Sequence, residues 1–453
     1  MTDDTTRTPQ RPLDLGAGST SRRRLLQAGA GLGLAAAGAS TLGRSGLVSA
    51  QDAITLKFMH DKAPWQDFFI AQGDLAEAAI GVNWDASPFA DTTSYQAAVL
   101  ASLPTGDTPD FFTWWSGYRI EDLYTQGVLA DVSDIWTQAI ADGNLPESLA
   151  AAFTFDDKQY AVPSHVSYWV VFYNKKLFAE NNVTVPTTWA EFTAAADTFK
   201  AAGITPIAST QVGRWPSFIM FEELVLRTDP NFYVELTAGR AKYTDPTCVQ
   251  ALETWRGMIE AEYFTSFDLD LFTGVPGEFS AGKVAMIPIG TWYQSNFLAS
   301  GMVPGEDYDL FIMPNVNDAV TDKVAIVETG ALAISARSKQ IDAAKRMASW
   351  WITPEAQTAW TNNLGDAPAN PKAQSENPVL GSLLSTLSSE SYALYQRYWE
   401  ASPVPIVESA VDFLAEFMLN PGDAQGVLEN IQELADTEWE KRGGPAAAAT
   451  PTT

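Results

Sequence analysis

Segments with the pattern of a β-strand alternate with helix-like segments along most of this chain. In ITLKFM, Ile54, Leu56 and Phe58 alternate with polar neighbours, the period of a strand with one buried face. Further strands are predicted in PDFFTWW and ITPIAS, and helices in YQAAVLASL and IDAAKRMASWW. Such alternation favours layers of helices packed on a sheet, so the sequence predicts an α/β protein.

Several helix boundaries are marked by capping residues. Thr188 and Glu191 have the spacing of a capping box before WAEFTAAADTFKAAG, and Gly203 is expected to end that helix. Thr353 is expected to cap a helix that starts with Pro354. The last helix, in DAQGVLENIQELADTEWEKR, is predicted to bury one face, formed by Val427, Ile431 and Leu434.

Length and charge limit the class of protein. A chain of 453 residues favours two or three domains, and 46% apolar with 18% charged residues is typical of a globular protein. The net charge of −27 repels phosphate polymers and anionic membrane surfaces, so we expect no nucleic-acid partner. We interpret the acidity as a solvated surface, with an acidic site for a cationic ligand as the alternative.

The amino-terminal segment predicts export from the cytoplasm. In SRRRLLQAGAGLGLAAAGAS, an arginine cluster precedes a short, weakly apolar stretch, as in signal peptides of the twin-arginine type. Residues 1–50 are predicted to be the signal, with cleavage after Ala50. No later apolar run is long enough to span a membrane, and no cysteine offers a lipid attachment site. How the exported protein would be retained at the cell is therefore not predicted.

Motifs for metal binding and catalysis are missing from the sequence. Cys248 is the single cysteine and is predicted to be a small buried apolar residue. His60 and His165 belong to no zinc-type cluster, and there is neither a Walker-type loop nor a GxSxG elbow. We therefore expect that the protein binds no metal and no cofactor and that it is not an enzyme. A glycosidase needs two converging carboxylates, which sequence cannot show, so a secreted carbohydrate-active enzyme stays an alternative.

Aromatic residues accompanied by charged groups follow several predicted strands. They are Asp61, Lys62 and Trp65 in MHDKAPW, Trp114, Trp115 and Tyr118 in PDFFTWWSGY, Arg214 and Trp215 in QVGRWPS, and Trp292 and Tyr293 in PIGTWYQSNF. Sugars offer apolar C–H faces for stacking and hydroxyls for directional hydrogen bonds. In open α/β sheets, ligands lie beyond the carboxyl ends of strands. These clusters predict a sugar site, although any one tryptophan could instead pack a domain edge.

Several phrases, in order, resemble one protein family. They include TGDTPDFFTWWSG, DDKQYAVPSHVSYWVVFYNKKLF, EFSAGKVAMIPIGTW and ALAISARSKQIDAAKRMASWW. The chain resembles the bacterial extracellular solute-binding proteins that feed sugar ABC importers, the maltodextrin-binding kind among them. The resemblance implies a type II-like clamp of two α/β lobes joined by crossing strands. Lobe one would be 51–163 with 328–368, lobe two 164–327 with 369–440, and 441–453 a disordered tail.

The resemblance also implies roles for individual residues. Asp61 and Lys62 would hydrogen-bond sugar hydroxyls, while Trp114 and Trp292 would be stacking platforms from lobe one and lobe two. Trp215 falls where relatives often have another aromatic residue. In LGDAPANPKA, at the second crossing, Asp366 could face the cleft.

The chain departs from the family pattern just after Trp114. Trp115, Gly117 and Tyr118 replace acidic and arginine residues that some relatives carry there, which indicates a sugar other than maltodextrin.

Together these features predict a monomeric periplasmic or extracellular protein that binds a mono- or oligosaccharide and delivers it to an ABC permease. The alternative is the same clamp around a non-sugar solute such as a polyamine, with aromatic rings and carboxylates such as Asp61 and Asp366 holding the cation.

Overall fold

The computed structural model of the protein describes residues 53–446. The predicted signal peptide and the end of the predicted tail lie outside the described residues. Within that tail, the last helix continues to Lys441, and Arg442 forms ion pairs with Glu121 and Asp122. No helix between residues 53 and 446 is long and apolar enough to cross a membrane.

Among residues 53–446, nine strands form one mixed sheet and two more form a small hairpin. The strands are β1 (Ile54–His60), β2 (Val82–Pro88), β3 (Phe111–Trp115), β4 (Thr154–Phe155), β5 (Lys158–Gln159), β6 (Val162–Asn174), β7 (Thr205–Ile207), β8 (Val284–Gly290), β9 (Tyr308–Phe311), β10 (Val324–Ile334) and β11 (Ala393–Gln396). The sheet has the order β2-β1-β3-β10-β6-β8-β7, with β11 paired to β10 and β9 paired to β6.

Helices pack around this sheet and form a carboxyl-terminal group. Those in the first half of the described chain are α1 (Gln66–Ile80), α2 (Thr92–Ser102), α3 (Tyr118–Thr125), α4 (Ser133–Ala141), α5 (Lys175–Glu180), α6 (Trp189–Ala201), α7 (Ile219–Thr228), α8 (Pro230–Thr237) and α9 (Pro246–Glu260). Those that follow are α10 (Val275–Ser280), α11 (Gln294–Ala299), α12 (Ile341–Trp351), α13 (Pro354–Leu364), α14 (Pro378–Ser389), α15 (Tyr398–Ala401), α16 (Val404–Leu419) and α17 (Ala424–Lys441).

Two long strands, β6 and β10, connect the two halves of the sheet. The first part of β6 pairs antiparallel with β10, and its second part pairs with β8 and β9. The end of β10 pairs with β3, which lies beside β1 and β2. The predicted fold class is therefore confirmed. The predicted lobe boundaries at 163/164 and 327/328 fall within β6 and β10, and the one at 368/369 lies between α13 and α14. The division into lobes stays a prediction.

A glycine allows β6 and β10 to approach closely where they cross. The register between these strands shifts at Gly330. A Cβ atom on Gly330 would lie 2.2 Å from the Ser164 hydroxyl and 2.3 Å from the ring of His165. Any larger residue would push the strands apart at this point.

The predicted helix caps are present. The Thr188 hydroxyl accepts a hydrogen bond from the Glu191 amide, and the Glu191 carboxylate accepts one from the Thr188 amide. Thr353 caps α13, with Pro354 at its first position. Cys248 is fully buried, as predicted.

One prediction about the last helix is wrong. Leu434 is 37% exposed, whereas Val427, Ile431 and Ala435 are buried. The buried face of α17 continues through Ala435 to Trp439 because successive buried positions lie four residues apart.

Candidate functional site

A small cavity of about 20 Å³ lies where β1, β3, β6 and β10 meet. Its volume is close to that needed for a single water molecule. The lining residues come from the ends of β1 and β3, from the crossing strands, and from α1 and α15. They are Asp61, Lys62, Trp65, Phe69, Thr113, Trp114, Trp115, Ser164, His165, Glu328, Gly330 and Glu400. The cavity thus brings together five of the residues predicted from the sequence, Asp61, Lys62, Trp65, Trp114 and Trp115.

Asp61 and Lys62 form a polar pair on one wall of the cavity. The Asp61 carboxylate accepts hydrogen bonds from the Thr113 hydroxyl at 3.0 Å and from the Lys62 ammonium at 2.6 Å. The ammonium lies 5.5 Å from the ring centre of Trp115 and 5.7 Å from that of Trp65. These contacts hold the charge of Lys62 between two aromatic faces.

The tryptophans of the cavity are fixed by contacts with one another and with the backbone. The ring centres of Trp114 and Trp115 are 5.2 Å apart, and the Trp114 indole N–H donates to the carbonyl of Arg119 at 2.9 Å. Trp65 lies edge-on to His165, with ring centres 5.5 Å apart. We call Trp65, Trp114 and Trp115 the first aromatic group.

A second aromatic group consists of Trp215, Phe272 and Trp292. Trp292 lies 6.1 Å from Trp215 and 6.1 Å from Phe272, measured between ring centres, and the Phe272 side chain is 40% exposed. Two further rings, Phe218 and Trp399, connect the groups. Phe218 stacks on Trp399 at 5.7 Å and lies 6.2 Å from Trp215, and Trp399 lies 6.3 Å from Trp115. Phe218, Phe272 and Trp399 were not predicted as site residues from the sequence.

Buried charges in the cavity wall and directly behind it were also not predicted from the sequence. Arg397 forms ion pairs with Glu328 and Glu400, and all three side chains are less than a tenth exposed. Glu328 also accepts from the Trp169 indole at 3.1 Å and lies 3.7 Å from the His165 ring. Burial by itself would raise the pKa of Glu328, but Arg397, His165 and Lys62 together outweigh it and the pKa is lowered. Glu328 is the one charged residue in the apolar sequence of β10, a signal that could have identified it.

Asp366, which was expected to face the cleft, lies outside the lining of this cavity. Its carboxylate accepts hydrogen bonds from the hydroxyls of Ser167 and Thr291 and from the amide of Ala367. Thr291 in turn accepts from the amide of Tyr168 at 3.0 Å and immediately precedes Trp292. Burial raises the pKa of Asp366 to about 6. Asp366 therefore joins the crossing strand β6 to the turn that carries Trp292.

Five other predicted site residues, described next, also lie outside the cavity lining. Tyr118 packs against Trp439 and lies under the guanidinium of Arg442. Tyr293 is fully buried and donates to the carbonyl of Leu271. Arg214 pairs with acidic residues of α16. Trp215 and Trp292 belong to the second aromatic group.

Tyr118 lies outside the cavity because Gly117, with a φ of 59°, reverses the chain after β3. A Cβ atom on Gly117 would lie 2.4 Å from the carbonyl oxygen of Glu400, so the turn needs glycine for both reasons. Tyr118 then begins α3 and faces the carboxyl-terminal helix.

A sheet joined by two crossing strands, with aromatic and charged side chains gathered at the crossing, defines a two-lobe binding protein. Residues 59–358 match the model of a family described as bacterial extracellular solute-binding proteins. The chain belongs to this family.

Curated relatives agree with this assignment. An uncharacterized ABC transporter extracellular-binding protein of Pyrococcus horikoshii is 28% identical over 323 residues, which cover 68% of this chain and 69% of that protein. A probable sugar-binding periplasmic protein of Brucella suis is 27% identical over 300 residues, covering 64% of this chain and 68% of the relative.

Solved structures share the fold. The bacterial solute receptor AcbH, described as having an exclusive preference for β-D-galactopyranose, matches with a TM-score of 0.77 at 19% identity, over 86% of this chain and 99% of its own. A chitin oligosaccharide binding protein matches with a TM-score of 0.75 at 20% identity, over 84% and 98% of the two chains.

Proposed function

We propose that this protein is the extracytoplasmic substrate-binding component of an ABC importer and that it binds a mono- or oligosaccharide. The observation that carries this proposal is the convergence of the first aromatic group with Asp61 and Lys62 where β6 crosses β10. Flat rings suit the C–H faces of sugars, and the charged groups suit their hydroxyls. Curated relatives include an alpha-glucosides-binding protein of Rhizobium meliloti and a diacetylchitobiose binding protein of Streptomyces coelicolor.

Binding requires that the cavity open, because its volume of about 20 Å³ is far too small for a sugar ring. In our proposal, lobe one (51–163 with 328–368) and lobe two (164–327 with 369–440) separate and then close on the sugar. The closed protein then delivers the sugar to the permease. We further propose export through the amino-terminal twin-arginine segment and action as a monomer outside the cytoplasm.

A ligand screen on the mature chain, residues 51–453, tests the proposal. Thermal shift would be measured with galactose, maltose, raffinose, diacetylchitobiose and xylo-oligosaccharides, and with putrescine and spermidine as the polyamine alternative. We expect at least one sugar to raise the melting temperature through preferential binding to the folded protein, and no polyamine to do so. Stabilisation by a polyamine and by none of the sugars would contradict the proposal.

Incubation of the protein with the stabilising sugar, followed by chromatography, tests the enzyme alternative. We expect the sugar to be recovered unchanged. Hydrolysis products that disappear when one carboxylate of the cavity is substituted would show an enzyme instead.

A further inference from the structure

Arg119 supports both tryptophans of β3 without lining the cavity. Its backbone carbonyl accepts the indole N–H of Trp114, and its guanidinium carbon lies 5.7 Å from the ring centre of Trp115. The same guanidinium lies 3.4 Å from the ring centre of Trp399 and donates to the carbonyl of that residue at 3.2 Å. The side chain is 2% exposed, so its charge depends on the groups around it.

The carboxylate partner of Arg119 is Glu408 of α16, at 2.8 Å. Burial lowers the pKa of Arg119 to about 10, and the charge of Glu408 opposes this lowering more than any other group. Removing a single partner of such a pair leaves a buried charge uncompensated, which is much more costly than losing an exposed pair. Glu408 is therefore important for the position of Arg119.

The same carboxylate group bonds a second arginine, Arg214, which directly precedes Trp215. Arg214 donates to Glu408 at 3.3 Å and makes two hydrogen bonds of 2.7 Å to Asp412, one turn further along α16. The backbone φ of Arg214 is 66°, in the left-handed region that is costly for a residue with a side chain. We attribute this conformation to the bonds with α16, which fix the turn carrying Trp215.

We propose that Glu408 is a positioning residue. Through Arg119 and Arg214, it fixes the positions of the first and second aromatic groups relative to each other. The inference rests on the proposed sugar-binding function and on the lobe division given there. In that division Arg119 belongs to lobe one, whereas Glu408 and Arg214 belong to lobe two. The Arg119–Glu408 pair then joins the lobes in the closed arrangement, which our inference requires to be populated without sugar as well, while the Arg214–Glu408 pair stays within lobe two. Glu408 favours the closed arrangement of the rings without touching the sugar.

Hydrogen exchange followed by mass spectrometry tests this inference without any sugar. The mature chain would be compared with Glu408→Gln, which removes the charge and keeps the shape, and with Glu416→Gln as the matched control. Glu416 lies on the exposed face of the same helix, two turns further on. We expect Glu408→Gln to speed exchange in both 111–125 and 211–218, and Glu416→Gln to change neither.

The conservative variant Glu408→Asp keeps the charge with a shorter reach. It is expected to give exchange rates between those of the wild type and Glu408→Gln in both segments. Acceleration confined to α16 or to one of the two segments, or no acceleration at all, would overturn the positioning role. This result does not depend on whether the protein binds sugar, so its failure can be told apart from failure of the proposed function.

Stopped-flow kinetics with the tightest-binding sugar of the screen tests the consequence for binding. Glu408→Gln is expected to raise the dissociation rate constant about tenfold, with little change in the association rate constant, because the affected pair forms on closure. Glu416→Gln should match the wild type. Equal dissociation rate constants in Glu408→Gln and the wild type would contradict the inference.

Discussion

At the scale of single residues, two carboxylates of the cavity wall depend on one arginine. Arg397 bonds both Glu328 and Glu400, and these carboxylates would otherwise be buried without a counterion. Burial raises the pKa of Glu400 despite the attraction of Arg397, whereas the pKa of Glu328 is lowered. The carboxylates of Glu328 and Glu400 therefore stay in position in the cavity wall only while Arg397 pairs with them.

Replacing Arg397 with glutamine is expected to lower the free energy of unfolding by about 3–5 kcal/mol, the usual cost of removing one partner of a buried ion pair. Arg256→Gln is the control, because Arg256 pairs on the surface with Glu253 and is 35% exposed. Its loss should cost no more than about 1 kcal/mol. Denaturation by urea measures both values. Equal effects of the two substitutions would contradict this account of Arg397.

The charge of the lining predicts which sugars are rejected. Asp61, Glu328 and Glu400 line the cavity, with Lys62 as its one lysine or arginine. A carboxylate on the sugar would be repelled in this poorly solvated space. We expect the uronate form of a bound neutral sugar to bind at least about tenfold more weakly by calorimetry. The uronate methyl ester, which lacks the charge, is the control. Tighter binding of the uronate than of the neutral sugar would contradict the prediction.

At the scale of the elements, local sequence signals determine where helices begin. The capping box before α6 satisfies amides that the helix itself leaves without partners. Thr188→Ala is expected to lower the free energy of unfolding by about 1 kcal/mol. Thr198→Ala, at an exposed site within the same helix, should have little effect. Urea denaturation of both variants compares them, and an equal loss in each would argue against the cap.

Asp366 joins elements that are distant in sequence, and its ionisation should affect stability. Burial raises its pKa from an ordinary value near 3.8 to about 6 in the folded protein. The folded state thus retains the proton longer than the unfolded state. The contribution of Asp366 to stability is fully present below the pKa of the unfolded state, near 3.8. It is lost as the pH rises through the pKa of the folded state, about 6.

Comparison with Asp366→Asn isolates this contribution, because asparagine does not titrate. The stability of the wild type relative to the variant should fall by about 2 kcal/mol between about pH 4 and about pH 7. Denaturant unfolding at a series of pH values measures it. A difference between the two proteins that is independent of pH would refute the prediction.

At the scale of the whole molecule, the sequence predicted the fold class and the first aromatic group but not the buried charges. Asp61 follows β1, and Trp114 and Trp115 end β3, its parallel neighbour, so strand prediction was enough to bring them together. Glu328 and Arg397 meet because β11 pairs with β10, so that the amide of Arg397, just after β11, donates to the carbonyl of Val327. The chain pattern holds no signal for that pairing. Asp366 was predicted to lie at the second crossing between the lobes. Its hydrogen bonds with the hydroxyls of Ser167 and Thr291 depend on tertiary packing and could not be predicted.

We propose that a sugar binds between the aromatic rings where β6 crosses β10. Calorimetric titration of the mature chain and of Trp115→Ala with the tightest-binding sugar of the screen tests this binding site. We predict about tenfold to hundredfold weaker binding in Trp115→Ala, since ring stacking contributes about 1–3 kcal/mol. Trp189→Ala, on α6 and outside the cavity lining, should bind like the wild type. Unchanged affinity in Trp115→Ala would contradict the proposed site.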